Sequence, residues 1–128
     1  MRPFFYGWGV MKREFGQRGE GYAADYLKAK GYIVVEVNWR CSKGELDIIA
    51  REKETLVFVE VRSRHSATTE SAFESITPRK REKLIHTAHL YLAAPGLSDQ
   101  VWRIDAVAVA LPAKGKAIID HVEDALDW

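Results

Sequence analysis

Three ionisable residues interrupt what would otherwise be two apolar strands: Asp47, Glu60 and Arg62, all within GELDIIAREKETLVFVEVRSR, residues 44–64. Burying a carboxylate costs several kcal/mol unless a cation or hydrogen bonds compensate it. Two kinds of compensation suit these residue types. One is an ion pair, Glu60 with Arg62 or Arg64. The other is a divalent metal held by hard oxygen ligands. Residue types alone leave both open.

The element that must position these residues is a β-hairpin. The β-branched runs LDIIA and TLVFVEV flank a charged connection, residues 51–54, that is too short for a crossover helix. Side chains alternate along a strand, so Leu56, Phe58, Glu60 and Arg62 share one face and Val57, Val59 and Val61 the other. By the same count Glu45, Asp47 and Ile49 share a face. Only a register that sets that face beside the Glu60 face brings Asp47 and Glu60 together.

The pattern GELDIIA, then VFVEVRSR, preceded by GYIVVEVNWR and followed by RIDAVAV, resembles the YraN-like family of small uncharacterised bacterial proteins. That family is assigned to the restriction-endonuclease-like superfamily, whose signature is D, a gap, then (D/E)XK, and is similar to archaeal Holliday-junction resolvases. The resemblance covers roughly residues 16–128. It implies an α/β sandwich with a mixed central sheet of about five strands flanked by helices, in the order αβββαββ. It implies Asp47 as the first acid, Glu60 as the second and Glu20 as the preceding helix acid, the three together holding Mg²⁺ or Mn²⁺. At the signature lysine stands Arg62, which can clamp a phosphate but cannot serve as a general base. The residues implied as catalytic are therefore Asp47, Glu60, Arg62 and Glu20.

A chain of 128 residues with 47% apolar and 11% aromatic residues can bury one domain-sized core. Its formal net charge of +1 excludes a global electrostatic preference, so an anionic partner must be drawn by local patches. The single cysteine, Cys41, excludes an internal disulfide or a cysteine-based zinc site and favours a reducing cytoplasm. No stretch approaches the roughly 20 apolar residues that span a bilayer. The first ten residues lack a cleavage site, and residues 1–15 read as a tail, an upstream start or an aromatic arm ahead of a single domain at 16–128.

Helical spacing over residues 12–30, ended by Gly31, predicts a first helix whose buried stripe, Gly16, Glu20, Ala23 or Ala24 and Leu27, includes an acid. Glu20 is accounted for either by the helix dipole or as a third carboxylate aimed at the hairpin. A strand follows at 32–39, and NWR with CSKG reads as a turn carrying Arg40 and Lys43. Residues 65–76 read as a loop or lid. Thr77 and Pro78 form a good helix start, and the helix runs to about 94 with the stripe Leu84, Ala88, Tyr91 and Leu92. Its first turns crowd Arg79, Lys80, Arg81 and Lys83 against the dipole, which suits either a solvated basic face or phosphate binding. His86 and His89 on this helix are a weak metal signal without an HExxH context. A strand at 101–110 carries Arg103 and Asp105, and Asp105 is expected either in an ion pair with Arg103 or a basic residue of the hairpin, or in a supporting role at the site. An edge strand at 117–122 and an acidic tail, EDALDW, close the chain.

Two functions from different classes follow. One is a Mg²⁺-dependent endonuclease acting on branched or structured DNA. The other is a nucleic-acid-binding module of nuclease fold that does not cut. In both, the expected contacts to nucleic acid, DNA in the first place, are Arg62, Arg64, Arg79, Lys80, Arg81 and Lys83, with Arg40 and Lys43 in the turn. No membrane partner is expected, and a homodimer stays open.

Overall fold

The computed structural model describes the backbone of residues 8–125 and the side chains of residues 16–125. Helix α1 spans Trp8–Ala29. It is followed by three strands, β1 (Ile33–Cys41), β2 (Gly44–Glu52) and β3 (Thr55–Arg64), by helices α2 (Glu70–Glu74) and α3 (Pro78–Leu92), and by β4 (Val101–Ala110) and β5 (Ile118–Val122). The expected mixed α/β order is present. Three details differ. Helix α1 begins before Gly16, within the stretch read as a tail, whose residues 1–7 lie outside the described ones. The stretch read as a loop contains the one-turn helix α2, which buries Ala72 and is too short to show a period. The expected acidic tail is partly built into the fold: Glu123 accepts from the Tyr32 hydroxyl at 3.3 Å, and Ala125 is buried.

The five strands form one sheet in the order β1-β2-β3-β4-β5. All neighbours are antiparallel except β3 and β4, whose parallel pairing requires the crossover that α2 and α3 provide. Central strands buried on both sides need two apolar faces, and the alternation in β3 supplies them. Val57, Val59 and Val61 pack with Ala23 and Leu27 of α1. Leu56 and Phe58 pack with Ala88 and Leu92 of α3, flanked by Leu84, Ile85 and Tyr91. The helix start is as expected, the Thr77 side chain accepting a hydrogen bond from the Lys80 backbone N–H at 3.3 Å.

Two glycines let the layers approach where the ionisable residues lie. A Cβ at Gly19 of α1 would overlap the Ser63 hydroxyl on β3. At Gly44, a Cβ would lie 2.6 Å from Thr87 Oγ1 on α3. Both helices are thereby held against the same end of the hairpin, α1 carrying Glu20 next to Gly19 and α3 carrying Lys83 one turn before Thr87.

Candidate functional site

The hairpin register sets Ile49 opposite Phe58 and Ile48 opposite Val59, which places the Asp47 side of β2 beside the Glu60 side of β3. Beyond Ile48 and Val59 the regular pairing ends, and the Asp47 carboxylate takes over as acceptor: Val61 N–H donates to Asp47 Oδ2 at 2.9 Å. A matching irregularity lies on β1. Between the pairs Val37–Ile48 and Trp39–Leu46, Asn38 and Asp47 are left out of the register, and Asn38 has a φ of 55°. That left-handed conformation is one that asparagine tolerates better than most residues. On its two sides the packing changes layer, since Leu46 and Trp39 belong to the α3-facing cluster while Ile48 belongs to the α1-facing one. The kink at Asn38 thus turns β2 at the position of its acid. The sequence reading of NWR as a turn is corrected, because β1 continues through Cys41 with the kink inside it.

Asp47 and Glu60 meet in this irregularity. Asp47 is 9% exposed and the Glu60 side chain 12%. The Glu60 carboxyl is pushed well above the ordinary glutamate range, first by burial and then by the charge and hydrogen bond of Asp47; Arg62 and Lys80 oppose the shift. Two carboxylates so placed resist ionising together. Arg62 offers incomplete relief: its Nε stands 3.8 Å from Glu60 Oε1 and is buried without a hydrogen bond. The expected ion pair between Glu60 and Arg62 exists, but at 3.8 Å it offsets only part of the burial and Asp47 charge that raise Glu60.

Glu20 reaches the same region from α1. Its carboxyl is raised, first by burial and next by the Asp47 charge, while a hydrogen bond from Asn38 lowers it. Among the described residues no three or more His, Cys, Asp or Glu side chains are grouped closely enough to hold a metal together, so Glu20 is not gathered with Asp47 and Glu60 into the three-acid set that the motif implies. The donors that fit a divalent cation are the two adjacent carboxylates. Mg²⁺ commonly takes one or two carboxylates and fills its remaining positions with water and phosphate oxygens. A cation between Asp47 and Glu60 would also remove the repulsion that raises Glu60.

Both acids line a cavity of about 690 Å³ between α1 and α3. Glu20 and Glu45 share its wall, and its cations are Arg62, Arg64, Lys80 and Lys83, with His65 beside them. The Lys80 ammonium is pulled below the ordinary lysine range, first by burial and next by Arg62, with Arg64 adding to the effect and Glu60 and Asp47 opposing it. The expected basic residues therefore divide. Arg79 is exposed on the outer side of α3 and lines no part of this cavity. Arg81 is half-buried and lines a smaller pocket with Glu60, Ile76 and Leu84. Arg40 pairs with Glu45 at 3.0 Å on the surface, and Lys43 sits in the exposed β1–β2 turn. The sequence reading missed Asn38, Ser63, His65 and Thr87. An asparagine inside a β-branched run was the one available signal, since Asn is depleted in strands and enriched where φ is positive.

Asp105 lies apart from this cavity. It is fully buried and accepts from Arg103 Nε at 2.8 Å, from His121 Nε2 at 2.8 Å and from the Asp124 backbone N–H at 3.0 Å. Arg103 also reaches Glu52 at 3.1 Å and the Tyr32 hydroxyl at 2.8 Å. The expected pair with Arg103 is present, extended by partners from β2 and the C-terminal segment. His86 and His89 are exposed, His89 lying edge-on to Trp102.

The sequence model described as "Uncharacterised protein family UPF0102" matches residues 19–109. A UPF0102 protein of Chloroflexus aurantiacus is 45% identical over 111 residues, covering 86% of this chain and 88% of its own. One from Roseiflexus castenholzii is 42% identical over 118 residues, covering 91% and 95%. One from Kineococcus radiotolerans is 40% identical over 112 residues, covering 87% and 92%. The matched segment holds every acid and every cation of the cavity. Among the described residues, no helix is long and apolar enough to cross a membrane.

Proposed function

Because this chain belongs to the uncharacterised protein family UPF0102, whose name assigns no activity, we propose from the geometry of its own site that it is a Mg²⁺- or Mn²⁺-dependent nuclease of restriction-endonuclease-like fold, with DNA as its first substrate. The observation that carries this reading is the buried Asp47–Glu60 pair, left under-compensated in a cavity that also holds Arg62, Arg64, Lys80 and Lys83. Acids alone would repel a phosphodiester and cations alone would only bind it. Both in one cavity suit a reaction in which a phosphate is held while a hydroxide-like nucleophile forms beside it.

Asp47 and Glu60 would hold the divalent ion. When bound, the ion supplies a Lewis acid that lowers the pKa of water and neutralises charge on the phosphate. The chain's own groups do the rest. Val61 N–H fixes the Asp47 carboxylate through its 2.9 Å hydrogen bond, so one ligand is set before anything binds. Glu20, raised and on the same cavity wall, would as a carboxylate take the proton of the attacking water. Arg62 offers its fork of N–H groups to phosphate oxygens, in keeping with its buried Nε that lacks a hydrogen bond.

A second reading has a specific observation behind it. Lacking a gathered three-acid set and carrying Arg62 at the lysine position, the fold would serve as a binding module that does not cut. Labelled duplex, flap, four-way-junction and single-stranded substrates incubated with Mg²⁺ or Mn²⁺ separate the two. The nuclease reading expects product from at least one with the wild type and none with Asp47→Asn. No product from any of them, with the wild type and with Arg62→Lys alike, leaves the binding module.

A further inference from the structure

Arg62 is the cation nearest Glu60 on its own strand, but its delocalised guanidinium stays charged and its Nε faces Glu60 across 3.8 Å. A reacting phosphate gains charge on its non-bridging oxygens, and a compact ammonium with three rotatable donors can follow those oxygens as the geometry changes. Two ammonium groups line the cavity, Lys80 and Lys83. They occupy different parts of it. The Lys83 side chain lies along the Gly44–Thr87 contact, where its Cε comes within 3.4 Å of a Cβ built on Gly44. The Lys80 ammonium lies in the fields of Glu60, Asp47, Arg62 and Arg64 together. Lys80 is also carried on a fixed support, since its backbone N–H is capped by Thr77 at the start of a 15-residue helix. Among the described residues, no ion pair or side-chain hydrogen bond occupies its ammonium.

We infer that Lys80, supplied from α3 and not from the hairpin, is the catalytic ammonium of this site, donating to the non-bridging oxygens of the scissile phosphate opposite Asp47 and Glu60. The assignment rests on the nuclease reading and gives Arg62 a different task, holding the phosphate and partly balancing Glu60. It separates Lys80 from Arg79, which lines no part of the cavity.

The test uses the full chain, a labelled substrate that the wild type cuts, and Mn²⁺. Lys80→Ala should lower kcat on the order of 10²-fold with KM changed little, as for removal of one transition-state donor. Lys80→Arg should fall between the two, because the charge remains. The double variant Arg62→Lys with Lys80→Ala should regain at least ~10-fold over Lys80→Ala, since a lysine at 62 can bring an ammonium to the same carboxylates. If Lys80→Ala cuts as fast as the wild type at saturating substrate, or loses only affinity that lower salt restores, Lys80 is a binding residue and the assignment fails while the nuclease reading stands. A wild type that cuts no substrate overturns both.

Discussion

The sheet buries acids in two places and treats them in opposite ways. Asp105 has its acceptor sites filled: Arg103, His121 and the Asp124 N–H converge on it, and although burial pushes its carboxyl up, these hydrogen bonds outweigh burial and hold it below the ordinary aspartate range. His121 is fixed as well. Lys30 Nζ, which can only donate, lies 3.0 Å from Nδ1, so Nε2 carries the hydrogen shared with Asp105. Glu60 and Asp47, in contrast, face each other with one imperfect cation, Arg62, beside Glu60, and Glu60 is raised. A fully partnered buried acid contributes to holding β4, β5 and the C-terminal segment together. An under-partnered pair costs stability, and such strain is concentrated where a ligand is meant to relieve it.

The largest effect that sharpens this contrast is on folding. Asp105→Ala leaves Arg103 and His121 without their shared acceptor and should destabilise the protein by roughly 3–5 kcal/mol, read from urea denaturation. Should it cost no more than an ordinary surface substitution, the cluster is not structural. Glu60→Gln removes a carboxyl whose ionisation burial and Asp47 oppose, and should leave stability unchanged or raise it by about 1 kcal/mol, while abolishing cleavage. Destabilisation by more than ~2 kcal/mol would mean that Glu60 is a structural acid like Asp105.

The same contrast has opposite signs in pH. Asp105, lowered in the folded state, contributes stability that is present above its unfolded value of about 3.9 and is lost as pH falls through its folded value. Glu60, raised in the folded state, costs nothing below its unfolded value of about 4.3. Its cost grows as pH rises from there through its folded value. Stability of Glu60→Gln should accordingly fall less than the wild type's over that rise, and Asp105→Asn should lose less than the wild type on acidification. Parallel curves for all three proteins would contradict the assignment of both shifts.

Smaller effects test the surface. Arg64→Ala and Lys83→Ala, both in the cavity wall, should each flatten the dependence of log affinity for DNA on log salt by about one unit if each supplies one phosphate contact. Arg79→Ala, outside the cavity, tells whether the footprint extends over the outer side of α3; an unchanged slope confines it to the cavity. The exposed Arg40–Glu45 pair is worth little, and Arg40→Ala should change stability by less than about 0.5 kcal/mol.

How much of this was legible follows from what a local pattern can report. Asp47 and Glu60 stood out because period-2 runs of Ile, Val and Leu make a carboxylate conspicuous, and the short 51–54 connection dictated the hairpin. The face-sharing of Glu60 and Arg62 followed from alternation alone, as did the α3 stripe from its period and its start from Thr77 and Pro78. Three things escaped. The left-handed kink at Asn38 is a backbone event that hydrophobic periodicity does not register. His121 and Asp124, which complete the Asp105 cluster, come from positions 16 and 19 residues further along, and no spacing rule joins an edge strand to a buried acid. The division of the α3 cations into Lys80 and Lys83 within the cavity, Arg79 outside it and Arg81 beneath it depends on where the helix docks, and the Gly44–Thr87 contact sets that docking in space.

The central claim is that Asp47 and Glu60 are held together in order to take a divalent cation. Calorimetric titration of Mn²⁺ into the wild type and Asp47→Asn, in two buffers of different ionisation enthalpy, tests it directly. Below its folded value the raised Glu60 must lose its proton to ligate, so in that range the wild type should bind with proton release and more tightly as pH rises, and Asp47→Asn should lose at least ~10-fold in affinity. Equal Mn²⁺ affinity in the two proteins, or binding by the wild type without proton release, would contradict the account.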